Sequence, residues 1–329
     1  MAYKVLTAEI AINGNLFKRV AEVEIESSAK LIEDTCKIKM PATARLVRAG
    51  KFVTAVETAK YFKVGDEVVV KLGYDGRLRT EFVGFVKSIK PGTPVEIVCE
   101  DAVYLLRRKN LKKAFKKVTL KTLLDYIVEG TGIKISEKIP NVTFDVFYFR
   151  DTSAAYALQK LKEEFGLLIY FISPKVLHAA LAYHNDQKEV KYVIGKKGNV
   201  IGDSLEWQEE DDVKVRIKAV HIRKDNTKIT RFYPEKENHE GELKTIFVYN
   251  LSNIKDLEQR AKQESLKYRY TGYKGSLDSF LIPVVERGNV ANIINEDFPE
   301  KSGKYIVDKV TITYGTSGAR RKVEIGLKV

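Results

Sequence analysis

Val64-Gly65-Asp66-Glu67-Val68-Val69-Val70-Lys71-Leu72-Gly73-Tyr74 is the stretch on which the reading of this chain turns. A glycine and an aspartate, both suited to a turn, lead into a run of β-branched residues, and Asp75-Gly76 ends it with a hairpin signal. Phe82-Val83 and Val86 follow, then Val95-Glu96-Ile97-Val98. The same order recurs near the other end. Gly288-Asn289-Val290-Ala291-Asn292-Ile293 leads to Tyr305-Ile306 and Val310, and then to Val323-Glu324-Ile325-Gly326. The glycine and the aromatic-aliphatic pair are equally spaced in both copies. The pattern reads as one β unit present twice.

Outward from the first copy the β pattern continues. Val5, Ala11 and Ile12 lead to Leu16 and Phe17 across Asn13-Gly14, a hairpin turn because both residues tolerate positive φ. Val20 to Glu26 reads as the return strand with one wet face, and Asp34 to Met40 as a third strand stopped by Pro41. Residues 41–63 read as loop with a short helix. Short, regular strands of this kind need partners on both edges, so a closed or nearly closed antiparallel barrel is expected.

After residue 100 the periodicity changes. Thr119 is placed to cap a helix with Leu120, Leu123, Leu124, Ile127 and Val128 on one face, stopped by Gly130. A second helix opens at Thr152, gathers Ala155, Leu158, Leu161 and Phe165, and ends at Gly166. Val142 to Phe149 alternates like a strand, and Leu167 to Ile172 reads as a short buried one. From Val213 alternation returns, with a turn over Lys224-Asp225-Asn226-Thr227. A helix starts at Ser252 along Ile254, Leu257, Ala261 and Leu266, and strands follow at 277–285, 288–294, 304–314 and 321–328. The expected fold is mainly β with an α+β insertion: two antiparallel β-barrel domains, 1–106 and 206–329, each with a helical or irregular crossing, flanking a small α/β region, 107–205.

The 329 residues, 44% hydrophobic and 10% aromatic, are those of a folded chain of two or three domains. Met1-Ala2-Tyr3-Lys4 runs straight into alternating residues, and no window approaches 18 apolar residues. No leader and no membrane span are expected, and the chain is expected to be made in the cytoplasm. Cys36 and Cys99 sit in strand-like runs and read as buried thiols. His178, His184, His221 and His239 lack metal-ligand spacing. No phosphate-binding glycine loop is present, and Gly315-Thr316-Ser317-Gly318 is turn chemistry, not a nucleophile elbow. No catalytic residue, cofactor or metal is expected. Trp207 reads as a plug at a domain junction.

The net charge is +13. Much of it is spread singly on strand faces, as at Lys214, Arg216 and Lys218. One run is dense: Arg107, Arg108, Lys109, Lys112, Lys113, Lys116 and Lys117 fall within eleven residues. Its counterpart is Glu209-Glu210-Asp211-Asp212. A nucleic-acid groove would interleave aromatics, and this run offers only Phe115. Opposite patches of this kind suit contacts between subunits as well as they suit nucleic acid.

The three strands of residues 64–101, with Phe82-Val83-Gly84-Phe85-Val86 in the middle and Cys99-Glu100-Asp101 at the end, resemble the late-control-D-like baseplate hub of contractile-tailed bacteriophages. That family includes the hub portion of type VI secretion spike proteins. Val307-Asp308-Lys309-Val310-Thr311-Ile312 fits the same pattern. The resemblance implies a homotrimer whose six tube domains make a pseudo-six-fold ring, docked to a tail tube on one side and a spike on the other. It implies a spike carried by a separate protein, since the chain stops at Val329, and a lumen for DNA or a tape-measure protein. The expected role is structural and non-enzymatic, in a virion tail or injection-particle baseplate. The charged runs are then expected to touch one another between neighbouring chains, or to touch the cargo. The competing readings are a nucleic-acid-binding β-barrel protein and a tail-associated cell-wall hydrolase.

Overall fold

Alternation of apolar and polar residues becomes strand after strand in the computed structural model, which describes residues 4–48, 51–137, 139–180, 188–223, 225, 227–235, 241–248 and 255–329. Met1 to Tyr3, His184, Lys224, Asn226, His239, Ser252 and Ile254 lie outside the described residues. The first unit comprises β1 (Leu6–Ile12), β2 (Asn15–Phe17), β3 (Glu22–Ser28), β4 (Thr35–Met40), β5 (Thr43–Arg48), β6 (Lys51–Glu57), the single turn α1 (Thr58–Tyr61), β7 (Glu67–Tyr74), β8 (Arg77–Lys90) and β9 (Val95–Glu100). Residues 41–63 thus hold a hairpin, β5–β6, besides the short helix.

Next come α2 (Val103–Arg108), β10 (Asn110–Thr119), α3 (Leu120–Val128), β11 (Lys134–Ile135), β12 (Thr143–Ser153), α4 (Ala154–Phe165), β13 (Leu168–Ser173) and β14 (Val176–Ala180). Thr119 caps α3 by accepting from the Thr122 N–H at 3.2 Å. The cap of α4 is Ser153, not Thr152, and Gly166 ends that helix at φ +62°. The helices pack on a two-stranded ribbon, β10–β12, and a three-stranded sheet, β11-β14-β13. Leu123, Leu124, Ile127, Leu158 and Ile169 fill a separate core there.

The chain then gives β15 (Glu189–Ile194), β16 (Val200–Asp203), β17 (Glu206–Gln208), β18 (Val215–Ile222), β19 (Lys228–Tyr233), β20 (Glu242–Val248), α5 (Lys255–Tyr268), β21 (Gly272–Ser279), β22 (Val290–Asn295), β23 (Gly303–Gly315) and β24 (Gly318–Lys328). β18, β19 and β20 form a sheet of their own, covered by α5 through Leu257 and Ala261. β15, β16 and β17 join the large sheet instead.

That large sheet contains both β units. In the first, the strand order is β3-β4-β9-β8-β7-β1; in the second it is β17-β21-β24-β23-β22-β15, with β16 also on β21. The six positions correspond one to one. The turns that open β7 and β22 match bond for bond. The Gly65 N–H donates to the Val86 carbonyl and the Gly288 N–H to that of Val307, both at 2.8 Å. The Val86 N–H donates back to the Asp66 carbonyl and that of Val307 to Asn289, both at 2.9 Å. The Asp66 carboxylate accepts from the Lys63 N–H at 2.8 Å, and the Asn289 side chain from the Glu286 N–H at 3.0 Å. Both glycines have positive φ, +97° and +80°. A register shift follows at the same place in each hairpin, between Val86 and Ser88 and between Val307 and Lys309.

Val86 therefore corresponds to Val307, so the equal spacing from glycine to Phe82 and Tyr305 pairs residues two places out of true register. A slip of two preserves the side-chain alternation, which is why the sequences still looked aligned. Barrel closure also differs from expectation. Among the described residues neither unit closes on itself. The outer edge of β3 is taken by β23, from Lys309 opposite Ser28 to Gly315 opposite Glu22. Alternation in a sequence fixes which face of a strand is buried but not which strand fills its edge. One apolar core, from Ile10, Ile25 and Val70 to Tyr192, Tyr305 and Val323, runs under both units.

Candidate functional site

The β3–β23 seam is where the two units become one body, and several buried charges gather beside it. Arg321 on β24 is 2% exposed and donates to Glu81 of β8 at 2.8 Å, and to the Leu281 carbonyl at 3.2 Å. Burial raises the Glu81 carboxyl pKa, and the Arg321 guanidinium opposes that rise. Arg287 reaches across from the second unit to the Asp34 carboxylate, donating to Oδ2 at 2.8 Å, and also to the Phe171 carbonyl of β13 at 2.7 Å. It lies 4.7 Å from the centre of the Tyr170 ring. Arg79 pairs with Glu286. These groups line a cavity of about 570 Å³ between the two β units and the β13–β14 hairpin.

Beneath it, Asp101 is buried and accepts from the Asp34 and Val103 N–H groups, each at 3.0 Å. Burial first, and the neighbouring Asp34 carboxylate second, push its pKa well above the ordinary value. Lys162 of α4 donates to the Ala29 carbonyl at 2.9 Å. Its pKa is pushed down to about 8, by burial and then by the Arg287 charge. Removing one partner from a buried pair costs about 3–5 kcal/mol, against roughly 0–1 for an exposed pair such as Lys60 with Glu57. The buried arginines therefore set the geometry of the seam. Sequence reasoning passed over them. The available signal was an arginine, Arg321, at an inward position of an alternating strand.

The structure disperses the basic run. Arg107 turns in to Glu100, at 2.8 and 3.0 Å, and to Glu33 at 3.1 Å. Arg108 stacks on Tyr104 at 3.8 Å. Lys109 donates to the Tyr126 and Glu129 carbonyls, each at 2.6 Å, and so caps the end of α3. Lys112, Lys113, Lys116 and Lys117 stay exposed on β10. Lys113 lies 4.9 Å from the Phe115 ring centre. On the outer face Lys116 and Ala114 sit opposite Val146 and Tyr148, which are 48% and 53% exposed.

The acidic run forms a short 3₁₀ turn after β17. Glu209 accepts from Trp207 Nε1 at 2.8 Å and from Thr271 at 3.0 Å. Asp211 stands in solvent, 3.8 Å from Arg269, and Glu210 and Asp212 are exposed. Among the described residues no ion pair joins the two runs within one chain. Trp207 packs edge-on to Tyr273, 5.0 Å between centres, against the shared core. Cys36 and Cys99 face one another across β4 and β9, buried and free. Burial lifts the pKa of both, Cys99 to about 12, which disfavours the thiolate. Among the described residues no acidic, His and Cys side chains cluster as a metal site, and no helix is long and apolar enough to cross a membrane.

No protein-family profile matches the chain, and no curated protein is similar to it in sequence. Solved structures match it in fold. A tail protein from Neisseria meningitidis MC58 superposes with a TM-score of 0.65 at 12% identity, over 98% of this chain and 96% of that one. This is a tail-protein fold. The 43 kDa tail protein of prophage MuSo2 from Shewanella oneidensis shares it at TM-score 0.63 and 14% identity, over 97% of each chain. An E. coli component of the type VI secretion system, described as structurally similar to the bacteriophage T4 tail proteins gp27 and gp5, does so at 0.59 and 12%, over 96% of this chain and 76% of that one. The tail-protein fold thus extends over both β units and the α+β segment between them.

Proposed function

We propose that this chain is a structural, non-enzymatic hub of a phage tail or related contractile injection system. In this reading three copies form a pseudo-six-fold ring that joins the tail tube to a central spike. The observation that carries it is the edge-to-edge pairing of two equivalent β units, β3 of one on β23 of the other. A head-to-tail contact between like units generates a ring when its rotation closes, and two units per chain let three chains fill six positions. Residues 1–106 are then one tube-type position. The second is built on 206–329 together with β15 and β16. Lys112, Lys113, Lys116 and Lys117 remain candidates for a contact with an acidic neighbour or with translocated cargo.

Light scattering after gel filtration tests the reading. The expected particle has three times the 37.4 kDa chain mass, alone or bound to its spike. A chain that stays monomeric in the presence of tube and spike proteins overturns it.

A further inference from the structure

The seam inside the chain has a counterpart that the chain leaves open. Because Val86 corresponds to Val307 and the same register shift follows each, Ser88, Ile89 and Lys90 of β8 stand where Lys309, Val310 and Thr311 stand on β23. Those residues of β23 pair with Ser28, Ser27 and Glu26 of β3. The strand matching β3 is found by following the ladder. Ile25 lies opposite Cys36, and Cys36 opposite Cys99, itself opposite Val86. In the second unit Val307 lies opposite Ile325, and Ile325 opposite Gly275. Leu205 falls across from Gly275, between the Glu206–Lys274 pair and the bond from the Ser204 N–H to the Ser276 carbonyl. Glu206, Trp207 and Gln208 of β17 are thus the equivalents of Glu26, Ser27 and Ser28. Among the described residues β17 pairs only with β21, and β8 beyond Val86 pairs only with β9.

We propose that β8 of one copy pairs antiparallel with β17 of the next, Ser88 opposite Gln208, Ile89 opposite Trp207 and Lys90 opposite Glu206, and that this seam closes the ring. The assignment rests on the ring reading and supplies its contact residues. Charge favours the fit. Within the chain Lys309 lies between Glu324 and Glu26, at 3.6 and 3.0 Å. Lys90 already holds Glu96 at 2.7 Å, and Glu206 holds Lys274 at 3.1 Å. Joined, the four make an alternating row, Glu96-Lys90-Glu206-Lys274.

Two residues past the strand the correspondence reaches the acidic run. Lys30 pairs with Asp308 at 3.4 Å beside the internal seam. The equivalent positions hold Glu210 and Lys87. The two signs are exchanged together, so the attraction survives. The acidic turn therefore meets Lys87 of its neighbour instead of the lysines of β10. Trp207 gains Ile89 to cover it. The seam between copies is also the shorter one, because β8 stops at Lys90 before Pro91 while β23 runs on to Gly315.

Lys90→Cys with Glu206→Cys tests the pairing, since both side chains are exposed in the single chain, 69% and 72%, and the native thiols are buried. Mild oxidation is expected to yield a covalent trimer on a non-reducing gel, with each single variant remaining uncross-linked. A trimer by light scattering that does not cross-link overturns the seam and leaves the ring standing. Absence of any trimer with tube and spike proteins present overturns both. Glu210→Lys is expected to raise the concentration for half-dissociation about fivefold, with Asp212→Lys, two residues on, as the control. Equal effects from the two would overturn the Glu210–Lys87 contact.

Discussion

The two β units share a skeleton and differ in what is hung on it. Both keep six strands in one order, the glycine turn with its side-chain bond, and the register shift after it. Between β3 and β4 the first unit has a loop of six residues; between β17 and β21 the second carries a whole sheet and α5. The first unit instead inserts the β5–β6 hairpin between β4 and β7, where the second has only a short loop. The outermost strands also differ in sense. β1 runs antiparallel to β7, and β15 parallel to β22. What is held constant is the ladder of six strands with the turn that opens its hairpin; what varies is inserted between those strands.

The largest effect is expected where the units are clamped. Arg321→Met leaves Glu81 buried without its partner and should cost about 3–5 kcal/mol in urea unfolding. Adding Glu81→Leu should recover more than half of the loss. An Arg321→Met protein as stable as wild type would mean that the seam stands without its clamp.

A middling effect tests the equivalence of the turns. Gly65→Ala forces a side chain into φ +97° and brings its Cβ to 2.8 Å from Tyr104 Oη, a cost of about 2 kcal/mol by thermal unfolding. Gly288→Ala, at φ +80°, should lose about 1–2 kcal/mol through its backbone conformation. A neutral result at either position would break the match between units.

The smallest effect is a pH dependence at the α4 contact. The Lys162 pKa is lowered in the folded chain, to about 8, so its charged form is penalised by folding. Below that value the lysine is charged in both states and the penalty is full. As the pH rises from about 8 toward the ordinary lysine value, the unfolded chain binds more protons than the folded one, and stability rises. The stability of wild type relative to Lys162→Met should climb over that window, and a flat difference would place Lys162 in solvent.

Much of this fold was legible because strands announce themselves by alternation. Gly65-Asp66 and Gly288-Asn289 announced the turns, since only a few residues accept positive φ beside a side-chain acceptor. The helices of the middle segment were legible from Leu120 to Val128 and from Ala155 to Phe165. Three things were not. The register of the repeat was misjudged by two because alternation is blind to even slips. The partner of β3 lies at the far end of the chain, and no local pattern names it. The run from Arg107 to Lys117 looked like one patch, yet Arg107 and Lys109 spend their charge on Glu100 and on the end of α3. A row of like charges in sequence becomes a surface only if its side chains leave on one side, and these do not.

The pairing of β3 with β23 also sets an order on synthesis. β3 leaves the ribosome about 280 residues before the strand that covers it, so its edge must wait through most of translation, when unpaired edges are at risk of joining another chain. The wait is guarded by its own side chains. Glu22, Glu24 and Glu26 line one face of β3, so two nascent β3 strands laid together would set carboxylate against carboxylate. The lysine that finally neutralises Glu26, Lys309, arrives only with β23. Glu22 and Glu24 meet Lys39 and Lys37 of β4 early in synthesis, so Glu26 is the carboxylate left at that edge until the sheet is complete.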